Sequence, residues 1–211
     1  MNIHSVSEMT PRARNPEPSR AATDKAADKR EAILAAALEL FVERGFHGTA
    51  VPEVAARAGV GAGTIYRYFE SKEALVNELY RRNKQLVLGR VVKDFPAGAS
   101  AREQFGALWR GLARFADDEP QAFAFLELHN HSSYLDAESK AIEDRIIQFG
   151  IGFVEAAQRR GEVRLEHPAI LIGIVMGALI GLVSKGQQCG LAMTPERWAI
   201  AEQCVWEAIR I

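Results

Sequence analysis

The chain has 211 residues, enough for one domain or two and for a substantial buried core. Hydrophobic residues make up 48% and charged residues 25%, as in an ordinary globular protein, and a net charge of −1 argues against non-specific coating of DNA. Two cysteines, Cys189 and Cys204, exclude a disulfide framework or a cysteine metal site, which fits a reduced cytoplasm.

Residues 1–27 are polar, are broken by Pro11, Pro16 and Pro18, and lack sustained periodicity, so they read as a disordered tail. Arg12, Arg14, Arg20 and Lys25 give that tail the charge to reach a DNA backbone or minor groove. The plainer alternative is a solvated tail without a role. No apolar segment opens the chain, so no secretory signal is expected. A first helix is expected from about Asp28 to Arg44, with Ile33, Ala37, Leu40 and Phe41 as its buried stripe and Gly45 as its stop. Lys29 and Arg30 oppose the dipole at its start, a small cost that makes sense if phosphates lie there.

The most informative stretch is Thr49 to Lys72. Thr49 is placed to cap a helix whose first turn holds Pro52, which has no N–H to satisfy. Val51, Val54, Ala55 and Ala58 give that helix a small inward face, and Gly59 stops it. A second short helix is expected from Ala62 to Phe69, with Ile65 and Phe69 inward at i and i+4. Two short helices about a tight turn make a helix-turn-helix, whose second helix enters the DNA major groove. Ala62 and Gly63 permit close approach to base edges. Thr64, Tyr66 and Tyr68 offer hydroxyls, while Arg67 and Lys72 offer charge.

The run AGVGAGTIYRYFESKEAL resembles the signature of the TetR family of transcriptional regulators, specifically over Lys29 to Leu79. The resemblance implies that Thr49, Thr64, Tyr68 and Lys72 hold phosphates. It puts Ala62, Gly63 and Tyr66 at or near the bases, with Arg67 suited to either task. Gly61 at the entrance of the second helix belongs to the same DNA-facing set, although the family usually has Ser there. Ala50 likewise stands where a second Thr is common.

Beyond the motif the chain reads as all-α. Ser71 caps a helix running to about Val92, which DFPAGAS (94–100) interrupts. The boundary between a DNA-binding domain (28–82) and a helical ligand-binding and dimerisation domain (83–211) falls inside this helix, which makes the helix a rigid lever. Further helices are expected over Ala101 to Asp117, from Glu119 and Pro120 to about Ser132, and from an Asp136 cap to about Arg160, where Gly161 ends the last of them. Another opens at His167 or Pro168, and the final one at Thr194-Pro195-Glu196.

The run Ile170 to Val183 is very apolar, but about 14 residues fall short of the roughly 20 that span a bilayer, so no membrane partner is expected. Gly173, Gly177 and Gly181 recur every fourth residue and leave one helical face bare, which lets another helix approach closely. Family resemblance implies a homodimer that pairs its last two helices, with Trp198 and Trp206 adding apolar area. Trp109, Phe115, Phe125, His129, Tyr134 and Phe149 are candidates to line a pocket among the helices.

Glu127, His129 and His131 invite a metal-dependent enzyme as an alternative. On one helix, however, His129 points away from the other two, so three ligands would require the helix to break. The expected protein is therefore no enzyme and needs no cofactor. By resemblance, it is a cytoplasmic dimeric repressor of a palindromic operator, released by a small, apolar effector. A ligand-independent architectural DNA-binding protein is the other alternative.

Overall fold

Helix ends in this chain sit where capping chemistry puts them. The computed structural model describes residues 20–211, with side chains from Lys25 onward apart from Gln187. The expected tail therefore lies outside the described residues as far as residue 19. From Arg20, however, the chain is already helical: α1 is Arg20–Arg44, eight residues longer at its start than the periodicity indicates. No Gly or Pro interrupts it, and Ala21, Ala22, Ala26 and Ala27 favour helix without needing an apolar stripe. Ile33, Ala37, Leu40 and Phe41 are buried, as the pattern demands.

The next two helices are α2 (Val51–Arg57) and α3 (Ala62–Ile65). Between them Gly59 takes φ +67°, the left-handed conformation that suits glycine. There the N–H of Val60 bonds Ala55 O (2.9 Å) and the N–H of Gly59 bonds Ala56 O (3.2 Å), a Schellman closure. Two expectations fail here. Ala50, not Thr49, is the N-cap of α2, and the Glu53 carboxylate accepts its N–H at 3.0 Å. Also, α3 is helical only to Ile65; Tyr66 to Tyr68 continue it as turns closed by bonds from the N–H groups of Tyr68 and Phe69 to Ile65 O.

Helix α4 is Lys72–Val92, and its Ser71 cap accepts the N–H of Ala74 at 3.1 Å. The bundle then comprises α5 (Ala101–Asp118), α6 (Pro120–Leu128), α7 (Ala137–Arg159), α8 (Pro168–Cys189) and α9 (Pro195–Ile209). Ser100, Asp136 and Thr194 each cap the helix that follows. Among the described residues the only extended pairing is one antiparallel bridge, Val163 with Arg210, so the fold is all-α. Helix α6 ends four residues before expectation, because His129 turns extended (φ −117°, ψ 146°).

α4 ties the two halves together. At its N-terminal side, Arg30 of α1 bonds Glu78 (2.8 Å) and Arg82 bonds Glu31 (2.5 Å), holding α1 to α4. Next to Glu78, Asn77 is buried, its amide donating to Tyr134 O (2.8 Å) and its oxygen accepting the N–H of Asp136 (2.9 Å). At the far end, α5 presses so close that a Cβ on Gly111 would lie 3.2 Å from Val91 Cα. The lever is thus gripped by both halves of the molecule.

Candidate nucleic-acid interface and internal cavity

Ile65 (1% exposed) and the buried Phe69 anchor α3 in the core. That burial turns the rest of the segment outward. Gly61, Ala62, Gly63, Tyr66 and Arg67 are exposed, and Thr64 and Tyr68 are half-buried, so one short element carries seven of the expected DNA residues. A Cβ on Gly63 would meet nothing within 4 Å, so a base edge has room to approach. Three of the head's acids are held in ion pairs, Glu53 with Arg44 (2.7 Å) and Glu39 and Glu43 with Arg57 (2.8 and 3.5 Å), while Glu70 and Glu73 stay exposed just beyond the run. The Ala50 N–H and then Arg44 hold Glu53 below its ordinary pKa, which keeps it charged and paired. Among the described residues Arg67 makes no ion pair, which leaves its charge for a phosphate or a guanine edge.

Thr49 does not join this surface. It is 1% exposed, and its hydroxyl points back to Gly45 O (2.9 Å) and Leu40 O (3.1 Å), capping carbonyls left over at the end of α1. A buried hydroxyl engaged in this way cannot hold a phosphate. Lys72 is half-buried and donates to Phe46 O (2.9 Å) and Thr49 O (3.0 Å), with its ammonium 4.2 Å from the Phe46 ring. It braces the α1–α2 corner, leaving one N–H at most for DNA. Lys29 is exposed on α1, apart from the α3 run.

Between α4, α5, α7 and α8 lies a cavity of about 310 Å³, at the small end of ligand pockets. Its wall is almost wholly apolar, built from residues such as Val87, Phe105, Trp109, Phe149, Phe153 and Met176. Of the six expected pocket residues, only Trp109 and Phe149 line it. Phe115 is core against Phe123, with ring centroids 6.4 Å apart, and Phe125 packs on Phe41 at 6.3 Å. Tyr134 stacks on Phe46 at 4.2 Å, and His129 lies by the Gly45 turn. Phe125, Tyr134 and His129 thus serve the junction with the head, while Phe115 belongs to the core of the bundle. Lys84 and Glu127 also line the cavity; Lys84 escaped the sequence reading, whereas Glu127 entered it beside His129 and His131. Lys84 carried a signal: it falls between Tyr80 and Val87 on the inward stripe of α4, where charge is out of place.

Although α6 does break at His129, Glu127, His129 and His131 are not assembled. Glu127 faces Lys84, while His131 leaves the helix and donates from Nε2 to Phe125 O (2.6 Å), its Nδ1 accepting the Tyr134 hydroxyl (2.8 Å). Among the described residues no group of three or more His, Cys, Asp or Glu side chains could hold a metal ion. Burial pushes the His131 pKa down to about 4, so the ring is neutral in the fold. The unfolded chain takes up this proton near pH 6.5, so stability is intact above that pH and falls as pH drops towards 4. The loss is expected to reach about 3 kcal/mol. Urea melts at stepped pH should show that slope between pH 6.5 and 4 in the natural protein, and His131→Gln should flatten it; equal slopes would exclude His131 as the cause.

The apolar helix α8 is mostly unburied, and its apolar stretch runs 19 residues (Pro168–Gly186), longer than the 14 expected and long enough, by length and composition alone, to cross a bilayer. Gly173, Gly177 and Gly181 each have open space where a Cβ would sit, beside exposed Ile170 (53%) and Ile174 (41%). Trp198 and Trp206, expected at the dimer face, are buried within the protomer instead. Trp198 donates from Nε1 to Asp117 (2.8 Å), and Trp206 packs on Phe105 at 5.4 Å, because α9 lies against α5.

Comparison with known proteins adds a second line of evidence. Residues 33–79 match the model for bacterial regulatory proteins of the tetR family, and residues 82–211 match that of the tetracyclin repressor-like C-terminal domain. The HTH-type transcriptional repressor BepR of Brucella suis is 31% identical over 168 residues, covering 74% of this chain and 79% of that protein. A TetR family transcription regulator of Marinobacter aquaeolei, solved by crystallography, superposes with a TM-score of 0.76 at 25% identity, covering 89% of this chain and 98% of its own. AibR, solved in complex with isovaleryl coenzyme A and operator DNA, shares the fold at a TM-score of 0.68 and 20% identity, covering 84% and 96% of the two chains.

Proposed function

Since the chain belongs to the TetR family of bacterial regulatory proteins, whose members act in transcription, we propose that it is a dimeric repressor released from its operator when a small molecule fills the cavity. The observation that carries this reading is α4. One helix forms a wall of the cavity and, without a break, holds the head that presents α3. A molecule that fits only one setting of α4 shifts the spacing of two heads, and a tenfold preference needs about 1.4 kcal/mol. AibR, with an acyl-CoA and operator DNA in one crystal, is a precedent for that pairing of ligands on this fold.

The bare face of α8 is assigned to a second protomer rather than to a bilayer, since a symmetric pair of heads is what a two-fold operator requires. The domain boundary is placed at residues 82–83, within α4. The protein is placed in the cytoplasm beside the DNA, and regulation rather than catalysis is its activity. The α3 run from Gly61 to Tyr68 is assigned to the major groove, with Ala62, Gly63 and Tyr66 nearest the bases.

Selection from random genomic fragments, followed by footprinting, should return an inverted repeat with half-sites about 34–36 Å apart or a multiple of that spacing. On that site, Arg67→Ala should weaken binding and reduce the slope of log affinity against log salt by about 0.9, the release of one phosphate contact. A smaller slope change with relaxed choice at one base would mean that Arg67 reads a base instead. Recovery of no preferred sequence would sink the repressor reading.

A further inference from the structure

The cavity has only two charged groups in its wall, Lys84 of α4 and Glu127 of α6. They are mostly buried, at 14% and 21% exposure, and stand 3.6 Å apart, too far for a hydrogen bond. Among the described contacts neither makes one elsewhere, so a nearly buried ammonium keeps its donors unspent. Two other buried polar groups of α4, the Tyr80 hydroxyl and the Asn83 amide nitrogen, also lack hydrogen-bond partners but are not part of the cavity wall. Lys84 is thus the one charged donor in an otherwise apolar wall, and Glu127, 3.6 Å away, is the one carboxylate there. A mostly buried ammonium without a hydrogen bond is costly, so this part of the wall favours a guest that accepts.

We infer that the molecule this cavity takes has an apolar body and a single carboxylate-like head, and that Lys84 receives the head. The inference rests on the reading of the cavity as the effector site and names the chemical class of the effector. A carboxylate gives Lys84 a short charge-assisted bond in place of its loose contact with Glu127. Glu127, the more exposed of the two, can turn to water. The body then lies against Phe105, Trp109, Phe153 and Met176. A cationic head would have to displace Lys84 from the one carboxylate on the wall and leave its ammonium unmet. Because Lys84 is on the helix that carries the head, the new bond pulls on the lever itself.

The test uses the whole protein with two matched probe series: octanoate, octan-1-ol and octylamine, and 4-phenylbutyrate with its alcohol and amine. Calorimetry gives Kd, and fluorescence anisotropy gives operator release. At least one carboxylate should bind ten times or more tighter than its alcohol and amine. Lys84→Met should erase that advantage, and Glu127→Gln should keep or enlarge it, which separates a lost head contact from a damaged fold. Tighter binding of an amine, unchanged carboxylate binding in Lys84→Met, or no binding in either series would overturn the inference. Operator release by an alcohol or amine would do so while leaving effector control standing. A carboxylate that binds through Lys84 yet leaves operator affinity unchanged would support the head assignment and count against effector control.

Discussion

Replacing Gly177 with glutamate is expected to split the protein into monomers and to lower operator affinity by at least about a hundredfold. Gly177 lies at the middle of the bare face of α8, with nothing within 4 Å of its missing Cβ and Ile174 exposed beside it. A helix this apolar and this uncovered needs a partner, and the glycines let that partner's backbone come close. Glutamate there sets a charge, and by symmetry two, into an interface with no place for it. The monomer keeps its head but reads only one half-site, so its affinity should fall from the specific range, roughly 10⁻⁸ to 10⁻¹¹ M, towards the non-specific range of about 10⁻⁴ to 10⁻⁶ M. Sedimentation and anisotropy read the two effects separately. A variant that remains a dimer with unchanged affinity would place the interface on another surface.

The second large effect is expected at Gly111. The missing Cβ there would lie 3.2 Å from Val91 Cα and 3.4 Å from Arg90 O, so α5 touches α4 backbone to backbone. Alanine asks for a shift of a few tenths of an ångström. Leucine needs real separation, and such overpacking costs about 1–3 kcal/mol. That is the size of the preference an effector must supply to shift the heads tenfold. Gly111→Leu is therefore expected to behave as if the cavity were already filled: still dimeric, still helical by circular dichroism, but at least tenfold weaker on the operator without any ligand. Gly111→Ala should stay within a few-fold of the natural protein. If Gly111→Leu folds and binds the operator normally, α4 does not transmit through this contact.

Local chemistry was legible in the sequence and partnership between helices was not. Ser71, Asp136 and Thr194 cap helices as expected because a cap is decided by residues three apart. The α3 run was legible for the same reason: Ile65 and Phe69 fix which side is in, and the rest must face out. Thr49 shows the limit. Its composition suits a cap at either side, and the choice went to the carbonyls of α1 because Glu53 already takes the Ala50 N–H. Phe115 and Phe125 have the same chemistry as Phe149, and only the packing of α5 and α6 decides which ring meets an empty space. Trp198 and Trp206 went inward because α9 rests on α5, a pairing no spacing within α9 reveals.

Trp109 gives the molecule an optical reporter of its own state. All three tryptophans lie on the adjoining helices α5 and α9, and Trp109 alone among them is part of the cavity wall. Its Nε1 is held by Trp198 O at 3.2 Å, and the two indoles stand 6.1 Å apart, close enough to share excitation. A guest pressed against Trp109 changes the polarity around one member of that pair. Occupancy therefore becomes visible as a shift in intrinsic emission, without a dye, a label or the operator. Compound libraries can be screened on the unmodified protein before its gene targets are known.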